Sequence, residues 1–188
     1  MKRDIILAGV GGQGILSIAK VIGYAALKQG LFLKQAEVHG MSQRGGDVQS
    51  HLRISDKPVY SDLIPRGNAD LILSLEPLEA LRYLPYLSPD GWIITNSTPF
   101  TNISNYPDIE FILDEIRKVR NHRIVDADHI AKETGSSRSV NMVMLGAAVD
   151  KLGLSPEFLK EGIRDLFKTK SGRIIDLNLL AFDKGNMN

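Results

Sequence analysis

Apolar positions follow two rhythms along this chain. Ile5, Ile6, Leu7 and Ala8 form an unbroken run that stops at Gly9, as expected of a strand buried on both faces. Beyond the glycines, Ile15, Leu16, Ile18, Ala19, Ile22, Ala25, Ala26 and Leu27 recur at helical spacing as far as Gly30. Residues 31–38 read as a second strand. Over 47–55 the pattern turns to alternation, with Val48, Leu52 and Ile54 at even positions. This predicts a half-buried strand, with 58–61 as its candidate hairpin partner.

Residues 69–75 read as another buried strand and 76–84 as a short helix closed by Pro85. Strand-like 91–96, helical 109–119 and strand-like 122–126 follow. The rest is helical. Ser139 is a candidate cap for a helix that runs to Leu152 and stops at Gly153. Ser155-Pro156-Glu157 then supplies an N-cap, a first-turn proline and a first-turn acid. A last helix spans 171–182, while 98–107, with Asn102 and Asn105, reads as the loosest stretch. Strands alternating with helices predict an α/β fold: a Rossmann-like three-layer sandwich, mostly parallel, with helices on both faces and a helical C-terminal tail. No repeat or linker interrupts it, so 1–188 reads as one domain.

Composition narrows the function. Lysine and arginine number 23 against 22 acids, a net charge of +1, so no footprint for nucleic acid or an anionic membrane is expected. Met1-Lys2-Arg3-Asp4 leads into an apolar run too short for a signal peptide or a membrane span, which makes the cytoplasm the default location. Cysteine is absent. That excludes disulfides, thiolate zinc sites, cysteine nucleophiles and cysteine-ligated iron–sulfur clusters in this chain.

Two segments carry candidate chemistry. In Gly9-Val10-Gly11-Gly12-Gln13-Gly14, Gly9, Gly11 and Gly14 match the dinucleotide-binding spacing between a strand and a helix. Three readings compete. The glycines allow only a sharp turn, or Gly11, Gly12, Gln13 and Gly14 face an anion at the helix start, or they hold NAD or FAD. The dinucleotide reading expects an acid at the end of the second strand, and Glu37 sits near that place but not at a clean terminus. The second segment is Glu37-Val38-His39-Gly40-Met41-Ser42-Gln43-Arg44-Gly45-Gly46. It gathers an acid, an imidazole, an amide and a guanidinium among glycines. Arg44 could clamp a carboxylate or phosphate in bidentate fashion, and His39 could relay a proton or simply pack.

The two motifs together resemble the gamma-type domain of the 2-oxoacid:ferredoxin oxidoreductase family, and the second is similar to its indolepyruvate branch. The similarity continues through Ser50-His51-Leu52-Arg53-Ile54-Ser55, Ser61-Asp62-Leu63-Ile64-Pro65 and residues 69–77, most of the chain. The resemblance implies oxidative decarboxylation of an aryl pyruvate to an acyl-coenzyme A, with electrons passed to ferredoxin. It implies that thiamine diphosphate, Mg and iron–sulfur clusters sit on a larger alpha subunit, that coenzyme A is a co-substrate, and that this chain holds no cofactor alone. The missing Gly-Asp-Gly thiamine motif agrees with that division of labour. On this reading Gln43, Arg44, Gly45 and Gly46 contact substrate or coenzyme A, and His39 is a catalytic candidate. The alternatives are a gamma subunit for pyruvate, 2-oxoisovalerate or 2-oxoglutarate, a stand-alone nucleotide-binding oxidoreductase, and a non-catalytic scaffold. Asp126, Asp128 and His129 cluster at a strand-to-helix junction, where capping explains them better than a metal.

Overall fold

The computed structural model describes residues 1–40, 45–101 and 103–187. In chain order the elements are β1 (Lys2–Val10), α1 (Ile15–Lys28), β2 (Phe32–His39), β3 (Asp47–Ser55), β4 (Ala69–Ser74), α2 (Pro77–Arg82), β5 (Leu87–Asn96), α3 (Ile109–Arg117), β6 (His122–Val125), α4 (Ala127–Glu133), α5 (Val140–Ala147), α6 (Val149–Leu152), α7 (Pro156–Leu166) and α8 (Gly172–Asn186). The strands form one sheet in the order β2-β3-β1-β4-β5-β6. β1, β4, β5 and β6 are parallel neighbours, while β3 runs against both β1 and β2. The short connection 40–46 forces that reversal, because parallel neighbours need a crossover of a dozen residues or more.

The alternating pleat of β1 explains its unbroken apolar run. Ile5 and Leu7 join one core with α1, α5, α7 and α8, and Ile6 and Ala8 join a second with α2 and α3. Both faces of the sheet are covered, as the layered reading expects. The helical tail is locked on by glycine. A Cβ on Gly146 of α5 would lie 2.0 Å from the Phe182 carbonyl oxygen, and one on Gly185 of α8 would lie 2.0 Å from that of Val143.

Several expectations are corrected. No strand forms at 58–61; β3 pairs with β1 and β2 instead. Arg53 of β3 fixes the following loop, donating to the carbonyls of Ser61 (3.2 Å) and Leu63 (3.1 Å), while its Nε lies 2.9 Å from the buried Asp4 carboxylate. The helix expected over 139–152 is divided at Ala148 into α5 and α6, and the Ser139 hydroxyl bonds Ser136 rather than capping. α4 starts at the expected strand-to-helix junction, where Asp126 accepts the His129 N–H at 3.1 Å. His51 is 4% exposed. Its Nδ1 accepts the Ile64 N–H at 3.0 Å, and its ring meets Tyr86 edge-on at 5.5 Å. Burial holds its pKa below the ordinary histidine value, opposed by Asp62 and aided by Arg53.

Candidate functional site

β1 and β4 lie side by side, yet the helices that follow them leave to opposite faces. Such a switch point opens a crevice at the carboxyl ends of the strands, which is where ligands of open α/β sheets bind. Here the crevice is a cavity of about 480 Å3. Gly12 and Gln13 form one wall. Leu75 and Asn96, at the ends of β4 and β5, Thr98-Pro99-Phe100, Asp128, Ser137, Arg138 and Val140 complete it.

The glycine loop divides its labour. Gly14 caps α1 in the left-handed region at φ 87° and packs under Asn141, whose side-chain amide reaches its carbonyl at 3.4 Å. A Cβ on Gly14 would lie 2.5 Å from Asn141 Nδ2. Gly12, at φ 104°, has nothing within 4 Å of where a Cβ would stand. It needs glycine for its backbone conformation and leaves the cavity wall bare. Gln13 lines the cavity, but its amide is engaged by backbone. Oε1 accepts the Val10 N–H at 2.8 Å, and Nε2 donates to the Leu75 carbonyl at 3.2 Å. It ties the end of β1 to the end of β4, and so braces the loop it was expected to present.

The two sequence motifs meet in space. Gly11 N–H donates to the Gly46 carbonyl at 2.8 Å, and Gly45 N–H donates to the Gly11 carbonyl at 3.3 Å. Gly40 N–H closes the base of the segment on the Asp47 carbonyl at 3.1 Å. Asp47 is held in turn by the Tyr83 hydroxyl, which donates to its carboxylate at 2.8 Å. Burial raises the Tyr83 and Glu79 pKa values, with Asp47 adding to both, and Arg82 Nε pairs with Glu79 at 2.7 Å. His39 ends β2 opposite Val48. Gln43 and Arg44 lie outside the described residues.

Sequence reasoning missed Arg138. Its exposed guanidinium lines the cavity and is paired with no carboxylate among the described residues. Asp128 and Asn96 were also missed as cleft residues; Asn96 Nδ2 donates to Asp128 at 2.8 Å, and Ala127 N–H donates to Asn96 Oδ1 at 3.2 Å. The only signal for them was position, at a strand end or helix start. The dinucleotide reading loses its geometry. β3 stands between β1 and β2, so Glu37 is two strands from the glycine loop, roughly 10 Å rather than one strand spacing. Among the described residues no three His, Asp or Glu side chains group to hold a metal ion, and no helix is long and apolar enough to cross a membrane.

Comparison with known proteins decides the family. The family model described as pyruvate ferredoxin/flavodoxin oxidoreductase matches residues 4–186. The chain belongs to the pyruvate ferredoxin/flavodoxin oxidoreductase family. Within that family it is 41% identical to the indolepyruvate oxidoreductase subunit IorB of Pyrococcus horikoshii, over 97% of this chain and 93% of that protein. Among solved structures it superposes on pyruvate oxidoreductase subunit PORC of Thermotoga maritima with a TM-score of 0.76 at 25% identity, covering 100% of this chain and 96% of that one. It also superposes on the 2-oxoglutarate:ferredoxin oxidoreductase of Magnetococcus marinus, solved with 2-oxoglutarate, coenzyme A and succinyl-CoA bound. There the TM-score is 0.78 at 25% identity over 99% of this chain, which spans 30% of that longer polypeptide. The resemblance seen in Gly11-Gly12-Gln13-Gly14 and in 37–46 is therefore borne out.

Proposed function

We propose that this chain is the small subunit of an indolepyruvate ferredoxin oxidoreductase and that its cleft takes coenzyme A. The reaction joins an aryl pyruvate and coenzyme A to give acyl-coenzyme A, carbon dioxide and a proton from the thiol, while two ferredoxins each accept one electron. Thiamine diphosphate with Mg supplies the decarboxylation chemistry and iron–sulfur clusters carry the electrons, all on a larger alpha subunit in the cytoplasm. A chain without cysteine has no thiolates for such clusters. The relative named for indolepyruvate supports the substrate class.

The observation that carries the cleft assignment is the convergence of Gly12 and Arg138 on one cavity at the switch point. A bare glycine backbone lets phosphate oxygens approach main-chain N–H groups, and a guanidinium with no carboxylate partner among the described residues supplies the countercharge. The 45–46 glycines, tied to Gly11, bring the end of the second motif to the same edge of the sheet. On this reading Arg44 neutralises substrate or coenzyme A, Gln43 hydrogen-bonds there, and His39 is a candidate for polar contact.

Steady-state kinetics of the assembled enzyme test this. Arg138→Ala is expected to raise KM for coenzyme A about tenfold, the loss of one charge-assisted bond. Arg44→Ala is expected to raise KM for coenzyme A or the aryl pyruvate. An unchanged coenzyme A KM in Arg138→Ala refutes the cleft assignment; unchanged kinetics for both substrates in Arg44→Ala removes that residue's role.

A further inference from the structure

We propose that Glu76 is a positioning residue that sets the far wall of the cleft by clamping the 97–108 segment; this rests on the cleft being the coenzyme A site. Glu76 is 1% exposed, and its carboxylate gathers donors from distant parts of the chain. Oε2 accepts the Glu79 N–H at 2.9 Å and so caps α2. Oε1 accepts the Phe100 N–H at 3.3 Å and the Tyr106 hydroxyl. A buried carboxylate is costly unless its lone pairs are filled, so these donors are held firmly.

The consequence falls on the cleft. The 97–108 segment is tied at its start, where Ser97 N–H donates to the Val125 carbonyl at 2.8 Å, and at its end, where Asp108 caps α3. Between those ties, Glu76 bonds both Phe100 and Tyr106 at the end of β4, where Tyr106 also packs on the second core. Thr98, Pro99 and Phe100 are the residues of this segment that line the cavity. Glu76 itself is absent from the lining, so it acts through the wall and not by contact. Burial and the bond to Glu76 together raise the Tyr106 pKa, as expected for a hydroxyl that keeps its proton as a donor.

Tyr106→Phe tests the clamp, since it keeps the ring and removes only the hydroxyl. In the assembled enzyme, amide hydrogen exchange over 99–105 is expected to quicken about tenfold, as for a lost bond to a charged group. KM for coenzyme A is expected to rise about three- to tenfold with kcat within about twofold, a split that a purely structural residue would not produce. Glu76→Gln, which keeps the size of the side chain, is expected to quicken exchange both there and at the start of α2. Unchanged exchange over 99–105 in Tyr106→Phe overturns the clamp, whatever the cleft binds. Faster exchange with an unchanged coenzyme A KM, while Arg138→Ala still raises it, overturns the positioning role. An unchanged KM in both variants places the failure in the cleft assignment itself, and the positioning role falls with it.

Discussion

Substituting alanine at Gly12 and, separately, at Gly14 distinguishes a glycine kept for folding from one kept for a ligand. Both stand in the left-handed half of backbone space, at φ 104° and 87°. An L-residue there costs about 1–2 kcal/mol. For Gly12→Ala that is the whole structural cost, because the new methyl meets no atom within 4 Å. At about 2–4 °C per kcal/mol for a chain of this size, the melting temperature of the purified chain should fall by about 2–8 °C. Gly14→Ala adds a second cost, since Asn141 must move and give up its bond to the Gly14 carbonyl. That variant should lose about 2–3 kcal/mol. The order reverses in kinetics. The Gly12 methyl stands on the cavity wall, where it would keep a phosphate from the main-chain N–H groups. KM for coenzyme A in the assembled enzyme should rise about tenfold or more, the worth of one such bond. Gly14→Ala should leave that KM within about threefold once it has folded. Equal KM values for wild type and Gly12→Ala would refute the reasoning and return the loop to a purely structural role.

Two further outcomes follow from the packing. Gly146→Ala should destabilise the chain by about 3 kcal/mol or more, because the methyl would collide with the Phe182 backbone and part α5 from α8; the helix-propensity gain of about 1 kcal/mol does not offset this, and chemical denaturation measures it. His51 makes stability depend on pH. Its folded pKa lies below the ordinary value of 6.5, so below that pH the unfolded chain binds more protons and stability falls until the folded pKa is reached. Melting temperature recorded from pH 8 down to pH 5 should decline below about pH 6.5, and His51→Gln should flatten the decline.

Elements that bury their own apolar residues were legible in the sequence. β1, β4 and α1 carry the rhythms of covered strands and an amphipathic helix, and each was found within a few residues of its place. Ser155-Pro156 opens α7 as its capping chemistry dictates, with the Ser155 hydroxyl accepting the Glu157 N–H at 3.2 Å. What escaped depends on residues far apart in sequence. Nothing within 47–55 says that β3 inserts between β1 and β2, since alternation reports which side of a strand is apolar and not which strand lies beside it. Arg138 sits in a polar turn between helices, and only the fold brings it opposite Gly12. Gln13 lines the cleft, but one of the residues that hold its amide, Leu75, is far away in sequence. An amide in a glycine loop looks available for a ligand until Val10 and Leu75 are found holding both its ends.

The insertion of β3 accounts for the difference between this loop and a dinucleotide-binding one. In the dinucleotide arrangement the second strand lies beside the first, and its terminal acid meets the ribose. Here that place is taken by the start of β3, where Asp47 pairs with Val10. The residues just before it, Gly45 and Gly46, fall onto Gly11 and bond to it in both directions. Gly45 stands at φ 76°, a backbone conformation that favours glycine. The acid that would choose a ribose is replaced by the start of β3, which joins Gly45 and Gly46 to the glycine loop. One topological change therefore takes Glu37 two strands from the glycine loop and sets Gly45 and Gly46 against Gly11 in its place.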